Sequence, residues 1–279
     1  MDQQVEPDDS LGAIASSTLK CFWSVLKKLW PGYLAVFIPL NIIYWLTLAL
    51  IGSLVGDQMS LALTVRIANA LDKLLNGTVG LICFAATMLA VRDVEENREF
   101  TLIDTFRQAL SRWGVTFAAL FLVGLATGVL TCFCIVPGVI FGIYFAFVVA
   151  IVLFGDDTVT GAFSASKALV KDRWWETLGM TIVLGLMASV ASVPGIIIGF
   201  CVSLPLEIVV GLESSGKSVA GVITFMTYML DLLGTVVGGT LVDLSALLLP
   251  SGIVILYLRR KARTPQVTDK QLSDTPSGT

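Results

Sequence analysis

One stretch without a charged residue, 113–155, constrains the fold of this chain more than any other feature. It is 43 residues long and would form a helix of about 64 Å at 1.5 Å per residue. The hydrocarbon core of a bilayer is only about 30 Å thick, so this stretch is expected to cross the membrane twice, as a helical hairpin. Pro137 and Gly138 are the predicted helix break, because proline lacks a main-chain donor and restricts the residue before it.

The other apolar runs predict an all-α fold, a polytopic transmembrane helical bundle with about six spans. A short outer helix near 217–231 is expected before the last span. The fifth run contains a second helix-break candidate, Pro194 and Gly195. The alternative makes this pair a hairpin and divides 218–258 into two short spans, which gives eight spans. The six predicted spans are 33–55, 75–91, 114–133, 138–155, 177–206 and 236–258.

Composition excludes several function classes. Only 14% of the residues are charged, against about 25% in a soluble domain. The chain has no His, which excludes a Ser-His-Asp triad, a Cys-His pair, an HExxH zinc site and a His-ligated haem. The five Cys have no second Cys pair to complete a metal site and are interpreted as packed or lipid-facing thiols, so no cofactor is expected. A net charge of −3 gives no indication of nucleic-acid binding.

The distribution of Lys and Arg predicts the orientation. Fifteen of the 18 lie in the N-terminal flank, in the loops after spans two and four, and in the C-terminal tail; the alternate loops hold only Arg66, Lys73 and Lys217. Because cytoplasmic loops carry the excess of cations, both termini are expected in the cytoplasm. The predicted domains are a disordered tail 1–12, a transmembrane domain 13–263 and a disordered tail 264–279.

Three segments near 22–30, 106–113 and 163–174 share one pattern, in which aromatic and aliphatic residues recur at helical spacing opposite Lys or Arg. This pattern predicts cytoplasmic amphipathic helices lying in the headgroup plane, and five of the six Trp flank spans, with Trp45 as the exception. The expected partners are the lipid bilayer and its anionic phospholipid headgroups. The candidate headgroup contacts are Lys27, Lys28, Arg107, Arg112, Lys167, Lys171 and Arg173.

Acidic residues in apolar segments are functional candidates because a charge in hydrocarbon is costly. Asp231 and Asp243 qualify, and Glu207 lies near a span end. One hypothesis makes the two Asp a proton or cation site. The other places Asp231 at the end of an interfacial helix and Asp243 at the hydrated outer boundary, and the predicted spans favour this second interpretation.

Glycine pairs spaced four residues apart allow close helix approach. They indicate packing within the chain or a homo-oligomer face. The pairs are Gly52/Gly56, Gly124/Gly128, Gly138/Gly142, Gly195/Gly199 and Gly234/Gly238.

Residues 135–176 carry a family resemblance: a V-P-G start to a span, a short acidic connector, then A-x-x-x-S-x-x-L-x-x-x-x-W. The pattern falls on Val136, Pro137, Gly138, Ala162, Ser166, Leu169 and Trp174. It resembles the YciC-like family of bacterial inner-membrane proteins and is similar to the membrane domain found beside glycerophosphoryl diester phosphodiesterases. The resemblance implies a helical, multi-pass protein of the plasma membrane, specifically a bacterial inner membrane, that is concerned with envelope maintenance. It gives no catalytic residue to carry over.

We therefore expect a non-enzymatic membrane protein that serves envelope or lipid homeostasis, or that scaffolds a membrane partner. A small-solute or lipid transporter or exporter is the alternative, with Pro137 and Pro194 as hinges of broken helices. An intramembrane enzyme is disfavoured because no nucleophile–base pair and no paired acids stand at useful spacing. A second copy of the chain or another membrane protein is the further candidate partner.

Overall fold

A computed structural model gives the structure of the protein and describes residues 11–55, 61–155, 158–214 and 221–273. Within these ranges the regular elements are helices and no strand is present. The helices are α1 (Leu11–Val55), α2 (Leu61–Glu95), α3 (Leu102–Ser111), α4 (Trp113–Phe133), α5 (Ile135–Tyr144), α6 (Val148–Phe154), α7 (Val159–Lys171), α8 (Trp174–Ser214), α9 (Gly221–Ala246) and α10 (Leu248–Ser273).

Six segments of the described chain are helical, long and apolar enough to cross a membrane. This count confirms the prediction of an all-α polytopic protein with about six spans. The segments are Gly12–Thr47, Gly77–Glu95, Trp113–Phe133, Ile135–Phe154, Trp174–Val202 and Met226–Ala262. The first begins well before the predicted 33–55, because the segment expected to be a separate interfacial helix is continuous with the span in α1.

The chain forms two compact units. The first unit consists of Met1–Lys28, Phe84–Gly185 and Leu248–Thr279, and it includes the whole of α3 to α7. In it, α4 packs against α5 and α6, and α7 packs chiefly against α6. The second unit consists of Leu29–Cys83 and Leu186–Leu247.

The helical hairpin predicted in 113–155 is present, but its break lies three residues earlier than predicted. Cys134 is extended, with φ −164° and ψ 133°, between α4 and α5. Pro137 and Gly138 fall in the first turn of α5, where a missing N–H costs no helical hydrogen bond. Gly138 lies there because a Cβ at this position would collide with the side chain of Thr131 on α4. The pair therefore shapes the start of the returning helix instead of forming the break.

A second break, between α5 and α6, has no proline or glycine at the turn. Ala146 N donates to Ile143 O and Val148 N donates to Phe145 O, so the chain tightens to i→i+3 bonds over 143–148. This tightening leaves Tyr144 O and Phe147 N without helical partners. The hydroxyl of Ser166 on α7 supplies both: it donates to Tyr144 O at 2.7 Å and accepts from Phe147 N at 3.2 Å. Ser166 is fully buried.

Two predicted breaks in the C-terminal half are wrong. Helix α8 runs unbroken through Pro194 and Gly195, which removes the hairpin on which the eight-span alternative depends. Helix α9 likewise continues through the predicted gap between 217–231 and 236–258. The chain turns at Leu247, and Pro250 lies in the first turn of α10, where proline is tolerated.

In the second unit, α8 and α9 approach each other through glycine. A Cβ on Gly195 would lie 2.6 Å from Gly238 O, and a Cβ on Gly238 would lie 2.9 Å from Gly199 N. Gly234 faces Val202 and Gly199 in the same crossing. Two of the five predicted glycine pairs therefore pack on each other within the chain, as close approach of helix backbones requires. Gly124 and Gly128 on α4 have no atom within 4 Å of the added Cβ.

The predicted tails overlap the described chain only in part. Helix α1 begins at Leu11, so the preceding residues of the 1–12 tail lie outside the described residues. Helix α10 extends to Ser273 and so covers the first ten residues of the tail predicted to start at 264, and 274–279 lie outside the described residues.

Candidate functional site: interfacial cations of the first unit and intramembrane acids of the second

Helix α3 presents its bulky apolar residues outward. Ile103 is 75% exposed and Leu110 is 61% exposed, while the small residues Thr105 and Ala109 are buried against the protein. Thr101 caps the N-terminus, since its hydroxyl accepts from Asp104 N at 3.2 Å. Only Arg112 separates α3 from the apolar helix α4. An exposed apolar stripe on a short helix next to the start of a span is the geometry of a helix lying in the headgroup region.

Helix α7 has the same amphipathic sequence pattern, but its apolar face is buried instead of exposed. Its residues Ala162, Ser166 and Val170 are buried, and Phe163 packs edge-on against Phe145 of the α5–α6 turn, with ring centroids 4.8 Å apart. Protein therefore covers the apolar face of α7. The exposed face carries Lys167 and Lys171.

The seven predicted headgroup cations have different surroundings. Six are exposed: Lys27, Lys28, Arg107, Lys167, Lys171 and Arg173. Arg173 lies 3.8 Å from the carboxylate of Glu176. Arg112 and Lys28 also contact other residues of the first unit. Arg112 Nη1 donates to Leu153 O at 3.2 Å, beside Gly155, the left-handed C-cap of α6. Lys28 Nζ lies 4.5 Å from the ring centroid of Phe100.

Lys28 also lines a cavity of about 560 Å³ in the first unit. The cavity walls carry three carboxylates, two hydroxyls and an amide, so its chemistry favours a cationic or hydrogen-bonding group over a bare anion. The carboxylate of Asp93 is paired with Arg92 at 3.4 Å. The lining residues are Lys28, Asp93, Glu99, Phe100, Thr101, Asp104, Thr105 and Gln108.

A buried arginine that the sequence analysis missed holds the end of α7. Arg260 on α10 is 5% exposed, donates to Leu169 O at 3.2 Å and to Arg173 O at 3.5 Å, and lies 3.9 Å from Glu176. Its guanidinium lies over the Phe147 ring, 5.3 Å from the centroid. A cation at the last carbonyls of a helix is favourable. The basic C-terminal segment, which was used above only to predict the orientation, therefore also contains a residue that packs inside the protein.

The two acids of the second unit lie in α9 and contact one face of α1. Asn41 Nδ2 donates to Asp243 Oδ2 at 3.0 Å, and Trp45 Nε1 donates to Asp231 Oδ2 at 2.9 Å. Asn41 is buried and Asp231 is partly buried. All four residues fall within the helical segments apolar enough to span a membrane. The predicted end of a helix at Asp231 is wrong, because α9 is continuous there.

Two signals in the sequence could have identified these partners. Trp45 is the tryptophan that does not flank a predicted span, and Asn41 is the one amide side chain in the run 29–56. The side chain of Glu207, the third candidate acid, lies outside the described residues. Asp231 bonds to Trp45 and Asp243 bonds to Asn41, so each acid has its own partner on α1. The two acids do not form a carboxylate pair.

The cysteines are not joined by disulfides among the described residues. Cys21 and Cys83 are buried, and Cys132, Cys134 and Cys201 are exposed. Within the described part of the chain, no group of three or more His, Cys, Asp or Glu is placed to hold a metal ion.

No family model, curated protein or solved structure matches the chain.

The YciC-like resemblance accordingly stays a prediction, carried by residues 135–176 alone. The structure gives those residues physical roles. Gly138 allows α5 to approach Thr131, and Ala162 and Ser166 are buried where α7 packs on the α5–α6 turn. The motif positions thus stabilise one helical substructure, α4 to α7.

Proposed function

We propose that the chain is a non-enzymatic, multi-pass inner-membrane protein that contacts anionic phospholipid headgroups. Its role would be envelope or lipid homeostasis, or the scaffolding of a membrane partner. The observation that carries this proposal is α3, whose Ile103 and Leu110 point away from the protein. The YciC-like resemblance points in the same direction.

The energetics of α3 support membrane contact. Burying a large aliphatic side chain is worth about 1.5–3 kcal/mol, so Ile103 and Leu110 strongly favour the acyl boundary over water. Arg107 lies between them on the helix and is exposed. A cation near an anionic membrane surface contributes about 1 kcal/mol, so Arg107, Lys167 and Lys171 together are expected to contribute about 3 kcal/mol.

The proposed topology has both termini in the cytoplasm. With six spans, the connections 96–112 and 155–173 fall on the same side of the membrane as the N-terminus, and these segments hold most of the loop Lys and Arg. A cytoplasm-active reporter fused after Lys270 is expected to be active, and a periplasm-active reporter at the same position is expected to be silent. The reverse pattern would refute this orientation.

The lipid proposal is tested with the full chain in nanodiscs of phosphatidylcholine, with and without phosphatidylglycerol. We expect phosphatidylglycerol to raise the unfolding temperature and to be retained preferentially in native mass spectra. The triple variant Arg107→Gln, Lys167→Gln and Lys171→Gln is expected to lose this preference. The matched control is Arg98→Gln, an exposed arginine already paired with Glu96 at 2.9 Å.

A wild-type protein indifferent to phosphatidylglycerol would contradict headgroup contact. Because the triple variant removes three positive charges and Arg98→Gln removes one, a loss in Arg98→Gln about one third as large as that in the triple variant would show that net charge alone matters, which also contradicts the proposed contacts. For the apolar stripe, Ile103→Gln is expected to weaken the stability gained on transfer from detergent to nanodisc. Gln108→Ala, on the cavity side of α3, should leave that gain unchanged.

A further inference from the structure

One turn of α9 in the second unit gathers three oxygen-bearing side chains. Both polar atoms of the Asn41 side chain, on α1, contact this turn. Its Oδ1 occupies the space where a Cβ on Gly239 would lie, and its Nδ2 donates to Asp243. Thr240 is adjacent to Gly239 and three residues before Asp243. Residues three apart lie on neighbouring parts of one helix face, so the Thr240 hydroxyl belongs to the same turn.

The Thr240 hydroxyl is a buried polar group with an unmet bonding requirement. The residue is 5% exposed, and Oγ1 has no hydrogen-bond partner in the structure. Leaving a buried hydroxyl unpaired costs about 1–3 kcal/mol, and threonines in helices commonly avoid this cost by bonding to the preceding turn. Thr227 on the same helix does so, donating to Ile223 O at 3.1 Å.

The amide of Asn41 makes its hydrogen bonds to Phe37 and Asp243 through its nitrogen, and its oxygen Oδ1 lies against Gly239. Its nitrogen donates to Phe37 O at 2.9 Å as well as to Asp243, which uses both N–H groups. The oxygen Oδ1 then faces the Gly239 main chain. Carboxylate, amide and hydroxyl oxygens are the ligands that hard cations prefer.

We propose that Asp243, Thr240 and Asn41 form an intramembrane binding site for a small monovalent cation, Na⁺. The cation would accept coordination from the carboxylate, from Thr240 Oγ1 and from Asn41 Oδ1, and it would offset the charge that a carboxylate carries into a span. The site shares no residue with the headgroup contacts of the first unit. It provides the ion site that an ion-coupled transporter requires.

The residues around the proposed site come from four helices, α1, α2, α8 and α9. Helix α2 contributes Cys83, which is buried and interacts electrostatically with Asp243. Helix α9 contributes Asp231, twelve residues away and hydrogen-bonded to Trp45. Helix α1 contributes the neutral Asn41, and α8 contributes glycines at its crossing with α9. One cation per chain is the expected stoichiometry, because the proposed site contains one carboxylate.

The test uses the purified full chain in detergent, with choline as the only other cation. We expect NaCl to raise the unfolding temperature saturably, KCl and choline chloride at equal ionic strength to be weaker, and ²²Na⁺ to bind at one per chain. If Na⁺ has no specific effect, and infrared difference spectra across a pH titration show only a carboxylic acid that is absent in Asp243→Asn, then protonation alone neutralises the carboxylate and the proposal is overturned.

Thr240→Val separates ion binding from folding, because it is isosteric and removes an unpaired hydroxyl. It is expected to keep the ion-free unfolding temperature and to weaken binding by about tenfold or more, the equivalent of one lost ligand. The control, Thr227→Val, should bind Na⁺ like wild type. Unchanged Na⁺ binding in Thr240→Val would overturn the site even if Asp243→Asn fails to fold.

Discussion

The α5–α6 turn offers a direct test of what stabilises this fold, because the Ser166 hydroxyl hydrogen-bonds both main-chain groups that lack helical partners there. In Ser166→Ala, Phe147 N loses its acceptor and Tyr144 O loses its donor. The site is completely buried, so water cannot replace the hydroxyl without opening the contact between α7 and the turn. The change removes a single oxygen atom and leaves the remaining packing in place.

The expected cost follows from the two bonds. Side-chain hydrogen bonds in membrane proteins average about 0.6 kcal/mol, whereas a buried main-chain group left unpaired costs about 1–3 kcal/mol. We expect a loss of about 2 kcal/mol, equivalent to about 30-fold in the unfolding equilibrium. The measurement is reversible unfolding in mixed micelles as the mole fraction of sodium dodecyl sulfate rises, followed by circular dichroism.

Ser164→Ala is the matched control. Ser164 lies on the same helix, is exposed, and donates only to Gly161 O in its own helix, so its loss should stay within about 0.5 kcal/mol. Equal stability of the two variants would refute the argument that Ser166 compensates the helix break.

Three further outcomes follow from the packing, each measured by the same titration. Gly238→Ala is expected to cost about 1–3 kcal/mol because the added methyl group meets Gly195 O, whereas Gly128→Ala, which points into open space, should leave stability unchanged or raise it by up to about 1 kcal/mol, because alanine favours a helix over glycine. Arg260→Met should cost about 3 kcal/mol, since hydrogen bonds to charged groups are worth about 1.5–3 kcal/mol each, and should accelerate hydrogen exchange at the C-terminal end of α7. Gly155→Ala should cost about 1–2 kcal/mol, because φ is +77° and an L-residue is strained there.

The number of spans was predictable because hydrophobic length is a property of the local sequence. The positions of the helix breaks were not predictable from local sequence, since a break depends on another part of the chain that hydrogen-bonds the main-chain groups it leaves unpaired. The α4–α5 break lies at Cys134 with Pro137 inside α5, and the α5–α6 turn depends on Ser166 from nineteen residues away. Pro194 shows the converse: a proline in an apolar helix need not end it.

The candidate site was predictable by residue type and not by contact. The two acids of α9 were identified from the cost of charge in a span, but their partners on α1 are about two hundred residues earlier in the chain. The amphipathic pattern was equally clear in α3 and α7. It could not indicate that the apolar face of α3 would be exposed while protein covers that of α7, because hydrophobic periodicity does not show what packs against a helix face.

The crossing of α8 and α9 has an evolutionary consequence. Where two backbones touch through residues that lack side chains, nothing remains to be trimmed, and every substitution can only add atoms. Because substitutions at this contact can only enlarge the residues, Gly195 and Gly238 should be among the slowest positions of the chain to change. Any replacement that persists should be accompanied by a shift of one helix along the other.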